Sequence, residues 1–412
     1  MSTTGPERTD AGEPTASDVA GRVDEAGFVR IVGATTGDGL AAGAVLARTL
    51  AALDRPFQVS LAPLAADAAR ATDADCTVAV GRRDASADLH LPGTARPASE
   101  TAFAVARELG VTGSGGADPG PAGPDGPESG SAGPDLLGLA LAGVHADGRV
   151  ADSDVAERAT ESGFERRPGL AVPTTDLADG LAHSTLVHLP VSGDREAAAD
   201  LLAEFDLSSD ATDLDEEARR RLASLVALET VGDDDVPPRG GEAVERVCRP
   251  FAGGPADTGP EQAVGTVGGY ADVLDAVARE RPGTGIALAL GQDVLDDAVE
   301  AWRAHAGRAH AAVRDADTGR YDGLFVARPP DPDAPVGTVA RLAHAYRSPE
   351  PVTLAAVDGT AAVVADDRDL DSIVRTAAQR LDGTGEATGT VGRARFDAEA
   401  SAFVAATREA LA

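Results

Sequence analysis

FVRIVGATTGDGLAAGAVLARTL, residues 28–50, is the stretch on which the fold turns. FVRIVG is a short apolar run with the look of a buried strand. From Asp38 onward, Leu40, Ala44, Ala47 and Leu50 recur at helical spacing. Between them lies the turn Gly33-Ala-Thr-Thr-Gly-Asp-Gly39. It carries neither the G-x-G-x-x-G dinucleotide fingerprint nor the G-x-x-x-x-G-K phosphate loop. Asp38 stands at the junction of strand and helix. A carboxylate there caps the free N–H groups of the helix, or it serves as a ligand.

Working outward, FQVSLA (57–62) reads as a second strand, followed by a short Ala-rich helix and a third strand, CTVAVG (76–81). This β-α-β-α-β order is the grammar of a parallel sheet with helices on its faces. SETAFAVARELG is a helix ending at Gly110, and DLLGLALAGVHADG is another ending at Gly148. Between them, residues 111–134 are Gly/Pro/Ser/Asp-rich and read as a flexible insertion. SGDREAAADLLAEF starts a helix with Ser192 or Asp194 as its cap, and EEARRRLASLVALETV is a helix. Residues 232–261 read as a break. Residues 262–316 read as mainly helical with one apolar strand, TGIALALG (284–291). From Tyr321 a second α/β pattern begins. It holds the strand DGLFVAR, a helix, a hairpin turning at Asp358-Gly359, a helix, the loop GTGEATG, the strand TVGRARF and a terminal helix. The expected organisation is a disordered tail (1–20), a parallel-sheet α/β domain (21–230), a linker and mostly helical connector (231–318) and a smaller α/β domain (319–412).

The chain has 412 residues and 43% hydrophobic content, enough for roughly two or three domains. Its 68 acidic and 36 basic residues leave a net charge of −32, every basic residue is Arg, and Asn is absent. The acid is spread over amphipathic segments, and this pattern reads as a halophilic protein with a hydrated carboxylate surface. The lack of Lys excludes the phosphate-loop lysine, the kinase lysine and Schiff-base chemistry. The lack of Asn removes the kinase-type second metal ligand. Cys76 and Cys248 lie too far apart in sequence for a disulfide framework or a zinc cluster. The N-terminus has no apolar leader and no window approaches about 18 uninterrupted apolar residues, so a soluble, cytoplasmic protein is expected, with no membrane partner.

Several further residues carry chemistry in other settings. His183 and His188 share no helix face, and His305, His310 and His344 fall on helices; packed or hydrogen-bonded roles are expected. Ser184 lacks the G-x-S-x-G elbow of a serine hydrolase. The Arg pairs 82–83 and 166–167 and the triplet 219–221 are able to meet phosphate. The triplet follows Glu216 and Glu217, so ion pairs along the helix compete.

The opening turn, the AGVHADG helix and the C-terminal pattern together resemble the DHH phosphoesterase superfamily, in particular its archaeal RecJ-like members. Their first motif is H-x-D-A-D-G-[IL]-x-[AS] at the mouth of a helix. Gly39 on the motif glycine puts Asp38 on the second aspartate, Thr36 on the first and Ala34 on the histidine. The second-motif aspartate is replaced by Gly81. Where the Asp-His-His triplet belongs, GRRDASADLHLPG offers Asp84, Asp88 and His90. The fourth-motif aspartate matches Asp147, two residues after His145. The C-terminal domain is similar to the DHH-associated domain, whose loop G-G-H-x-x-A-A-G grips phosphate; here it reads Gly383-Thr-Gly385-Glu-Ala-Thr-Gly389.

The resemblance implies a metal-dependent phosphodiesterase ancestry, with Mn²⁺ or Mg²⁺ held by Asp and His ligands. Asp38 and Asp147 are the metal-ligand candidates, and Asp84, Asp88, His90 and His145 are the residues that would rebuild a site. Gly383, Gly385 and Gly389 are the candidate phosphate- or nucleic-acid-binding positions. With most ligand positions changed, the resemblance implies a degenerate subunit. It would act in DNA replication or repair, or in a nuclease complex, through protein partners and single-stranded nucleic acid. Silent relatives include a subunit of the eukaryotic replicative helicase. The alternative is an active Mn²⁺-dependent single-strand exonuclease or phosphodiesterase.

Overall fold

In the computed structural model the described residues are 14–63, 73–84, 86–111, 136–150, 153–231, 237–253, 266–366 and 368–411. The expected tail (for residues 1–13), the Ala-rich helix after the second strand and nearly all of the insertion fall outside them. Four parallel strands, β1 (Val29–Ala34), β2 (Phe57–Ala62), β3 (Cys76–Val80) and β4 (Leu89–Leu91), form a sheet in the order β2-β1-β3-β4. The crossing helix Gly37–Ala52 packs on it, and behind that helix lie the helices Ala98–Glu108, Leu136–Asp147 and Val267–Glu280. Ile31, Leu40, Val78, Leu141, Val277 and Trp302 belong to the one buried cluster that joins these layers.

A small antiparallel pair, β5 (Phe164–Arg166) and β6 (Phe251–Gly253), lies between the two large sheets in sequence. The second large sheet holds β7 (Asp317–Tyr321), β8 (Leu324–Arg328), β9 (Val352–Val357), β10 (Thr360–Ala365), β11 (Thr384–Thr388) and β12 (Val391–Arg395). Its order is β11-β12-β10-β9-β8-β7, antiparallel except for the parallel β8–β9 pair. Alternate side chains of β9 enter different cores. Val352, Leu354 and Ala356 join Val374 and Phe403 under the helices Leu370–Gln379 and Ala400–Leu411. Ala355 and Val357 join Leu181, Leu222 and Val339 on the opposite face. This is the period-two reading of a strand buried on both sides. The architecture is the expected α/β one, with a parallel sheet in the N-terminal part and a sheet domain at the C-terminal end. No helix among the described residues is long and apolar enough to cross a membrane.

Four expectations change. Residues 16–20 of the expected tail open the helix Ala16–Glu25, which a Thr15–Asp18 capping box starts and which buries Val19, Ala20 and Val23. TGIALALG is not a strand but most of the helix Pro282–Ala289, with Pro at its first turn. Its unbroken apolar run fits a buried helix as well as a strand, and proline is at home at a helix start. The break at 232–261 contains the helix Pro238–Cys248 and the strand β6, hidden in sequence by the Pro-Pro and Gly-Gly pairs at its start. The loop GTGEATG is largely strand β11.

Candidate functional site

The turn after β1 is held by close backbone approach. A Cβ on Gly39 would lie 2.6 Å from the Ala34 carbonyl oxygen, and one on Gly33 would lie 2.9 Å from the Gly39 oxygen. Thr36, not Asp38, caps the helix that follows: its hydroxyl accepts from the Gly39 N–H at 3.0 Å. Asp38 sits inside the first turn and turns its carboxylate to a different helix. Its Oδ2 accepts from the Ala98 N–H at 2.8 Å and its Oδ1 from the Ser99 N–H at 2.9 Å. The helix Ala98–Glu108 begins at Pro97, which offers no side-chain cap, so Asp38 supplies the acceptor from 60 residues away.

Asp147, the last residue of its helix, lines the same cleft as Asp38. Both of its oxygens are engaged by Arg149: Nε faces Oδ1, and Nη2 donates to Oδ2 at 3.2 Å. The guanidinium also donates to the Thr94 carbonyl at 2.8 Å and to the Gly93 carbonyl at 2.6 Å. Gly389 covers it from the C-terminal sheet. Its φ is +55°, and a Cβ there would lie 3.1 Å from Nη2 of Arg149 and 3.5 Å from Oδ2 of Asp147. Backbone conformation favours glycine at 389, and a side chain there would press on the Arg149 guanidinium. Arg149 joins the AGVHADG helix to the 93–94 loop, under the turn that follows β11.

Burial, together with the charge of Asp147, raises the Asp38 carboxyl to about 7, against the pull of the Ser99 and Ala98 bonds. Burial raises Asp147 too, with Asp275 adding to the effect and Arg149 opposing it. Two carboxylates this close titrate as a pair. Burial pushes both carboxyls up, and the proton they take up belongs to the pair. On the facing helix, Asp275 accepts from the Gly37 N–H at 2.9 Å and meets Arg279 at 2.5 Å and Arg341 at 3.4 Å. Those arginines hold it well below the usual carboxylate range despite its burial. Arg393 of β12 completes the cleft by donating to the Thr35 carbonyl at 3.4 Å, so the two large sheets meet at the opening turn.

The remaining candidates do not join this pair. Asp84 Oδ1 accepts from the Ser86 N–H and hydroxyl, Asp88 caps the Thr77 N–H at 2.7 Å, and His90 Nε2 lies 2.6 Å from the Asp84 carbonyl oxygen. These contacts shape the β3–β4 turn. His145 lines a neighbouring cavity with Asp147. It packs edge-on against Phe251, its Nε2 has no hydrogen-bond partner among the described residues, and burial with the charges of Arg166 and Arg246 drives its pKa down to about 3. A Cβ on Gly383 would lie 2.3 Å from the Arg395 carbonyl, and one on Gly385 would lie 2.8 Å from the Val374 carbonyl. Both glycines serve packing of β11, and only Gly389 reaches the cleft.

Of the expected histidines, His183 bonds to Asp179, His305 to Glu280 and Thr338, and His344 to Thr353 and Asp366. His188 and His310 stack, with Nδ1 atoms 3.0 Å apart. Arg149 and Asp275 escaped the sequence reading. A guanidinium two residues past a motif aspartate was the available signal for Arg149.

A divalent cation of the Mn²⁺ or Mg²⁺ class needs several free oxygen or nitrogen ligands at fixed positions. Each oxygen of Asp38 and Asp147 already accepts an N–H of the chain, and the Arg149 guanidinium sets a permanent positive charge against Asp147, so the cleft does not suit a bound cation. Among the described residues no three His, Cys, Asp or Glu side chains are grouped to hold a metal ion.

Comparison with known proteins agrees with the architecture. The chain is similar over 95% of its length to the crystal structure of CDC45 from Entamoeba histolytica, of which 96% is covered, with a TM-score of 0.52 at 8% identity. That likeness is one of fold. A manganese-bound RecJ exonuclease structure matches 97% of the chain, with 94% of its own length covered, a TM-score of 0.46 and 15% identity. Residues 316–409 match the family model described as "Uncharacterized protein rrnAC1427, C-terminal domain". The uncharacterized protein rrnAC1427 of Haloarcula marismortui is 50% identical over 414 residues, covering all of both chains. The chain belongs to the rrnAC1427 family.

Proposed function

We propose that the protein is a non-catalytic member of the RecJ-like DHH lineage, a binding subunit of replication, repair or nuclease assemblies. It would work through protein contacts and single-stranded nucleic acid. One observation carries this reading: the two carboxylates that survive at the expected metal position are already satisfied. Asp38 is spent on two backbone amides of a neighbouring helix, and Asp147 on the fork of Arg149. A guanidinium fork matches a carboxylate bidentately and holds permanent charge, so it neutralises Asp147 without any bound ion. The same donors give each residue a role in holding helices together that outlasts any loss of catalysis.

The alternative, a Mn²⁺-dependent exonuclease or phosphodiesterase, is favoured by the convergence of Asp38 and Asp147 in one cleft. The assay that separates them offers labelled single-stranded DNA, RNA and dinucleotides to the full chain in molar KCl with Mn²⁺. The binding-subunit reading expects no hydrolysis above the no-protein control. Turnover that disappears in Asp38→Ala would overturn it.

A further inference from the structure

A second cavity, of about 550 Å³, opens on the other side of Arg149. Small-molecule sites commonly span about 300–1,000 Å³. Its walls are the start of the helix Ala98–Glu108, the segment after Asp147, the end of β5 and the helix Pro238–Cys248. Four of its lining residues are arginines, in a chain where acids outnumber bases 68 to 36.

Two of these arginines are committed. Arg149 holds Asp147, and Arg96 reaches Glu100 at 3.3 Å and Asp154 at 2.9 Å. The other two are not. Among the described residues the Arg166 guanidinium carbon lies over the Phe251 ring, 4.6 Å from its centroid, and Arg246 makes a single 3.4 Å bond to the Gly148 carbonyl. Among the described residues neither forms an ion pair. Of the acids in the wall, Glu100 is occupied by Ser153 at 2.7 Å as well as by Arg96. Glu242 and Glu245 are exposed on the same helix as Arg246 and pair with neither free arginine.

An arginine stacked on an aromatic ring is pre-oriented, and its fork still presents donors in the geometry of a phosphate edge. We propose that this cavity binds a phosphate- or pyrophosphate-bearing small molecule between Arg166 and Arg246. The inference does not depend on whether the cleft at Asp38 is catalytic. It gives Arg166, one of the arginines singled out in the sequence, a ligand-facing role. By contrast Arg82 donates to the Ala62 and Pro63 carbonyls, Arg167 pairs with Glu165, and Arg220 pairs with Glu216.

The test is calorimetric titration of the full chain with inorganic pyrophosphate in molar KCl, repeated on Arg166→Gln, Arg246→Gln and Glu242→Gln. Saturable binding is expected, weakened about tenfold by either arginine change and tightened about threefold by Glu242→Gln. Thermal melts establish that each variant is folded. Arg246, exposed at the rim, gives the answer even if Arg166→Gln disturbs Phe251. Titration with ADP, and with a short oligonucleotide with and without a 5′-phosphate, tells a free nucleotide from a strand end. Absence of pyrophosphate binding, or equal binding by the folded Arg246→Gln protein, would overturn the proposal.

Discussion

Asp38 and Asp275 line the same cleft, and both are buried carboxylates that accept backbone N–H groups. Their chemistry is opposite. Asp275 meets two guanidinium groups and stays ionised far below neutrality, while Asp38 meets only amides, with Asp147 close by, and holds a proton to about pH 7. The contrast shows how this cleft is neutralised. At Asp275 two guanidinium groups outweigh burial and the acid remains charged; at Asp38 the backbone dipoles do not, and the acid takes up a proton.

The largest expected effect comes from removing a cation. Arg149→Ala leaves Asp147 buried beside Asp38 and releases the 93–94 loop. Breaking a largely buried pair from one side costs about 3 kcal/mol, read by urea titration in high KCl. Arg149→Lys should recover only part of this, because an ammonium lacks the bidentate fork. An Arg149→Ala protein as stable as the parent would show that the pair is ornamental.

Asp275→Asn should be next, at about 2 kcal/mol, because it leaves Arg279 and Arg341 without their shared counter-charge. Its pH signature has a definite sign. Asp275 is depressed on folding, so its stabilisation is present above the unfolded value near 3.8 and is lost as pH falls below it. The variant should lose less stability than the parent between pH 4 and pH 3.

Asp38 should behave in the reverse sense. Its folded pKa is raised from 3.8 to about 7, so the folded chain binds the extra proton and stability falls as pH rises between those values. The slope is at most about 1.4 kcal/mol per pH unit for one proton. Asp38→Asn should flatten it, and it should cost about 1 kcal/mol below pH 5 through the weakened helix cap. An unchanged slope would mean that the proton does not reside there.

The frame of this cleft was legible in the sequence, and its wiring was not. Strand, turn and helix at residues 28–50 follow from local periodicity and from glycines that permit close approach. The hairpin at Asp358-Gly359 is local too, with Gly359 at φ +81°. Asp38 could be assigned to a helix N-terminus, but to the wrong helix. Its partners Ala98 and Ser99 are brought near only by tertiary packing, and Thr36 already served the local cap. Arg149 has no local reason to face Asp147 twice while bonding residues 93 and 94; that geometry exists only once the helix Leu136–Asp147 is docked. TGIALALG went astray because an apolar run without alternation carries no period to read.

The most direct test of the satisfied cleft is Mn²⁺ binding followed by electron paramagnetic resonance in molar KCl, on the parent chain and on Arg149→Ala. If Asp147 is neutralised by Arg149 and Asp38 is held by its two backbone donors, the parent leaves the free-ion signal undiminished at equimolar protein. A stoichiometric loss of that signal with the parent, restored by Asp38→Ala, would contradict the account.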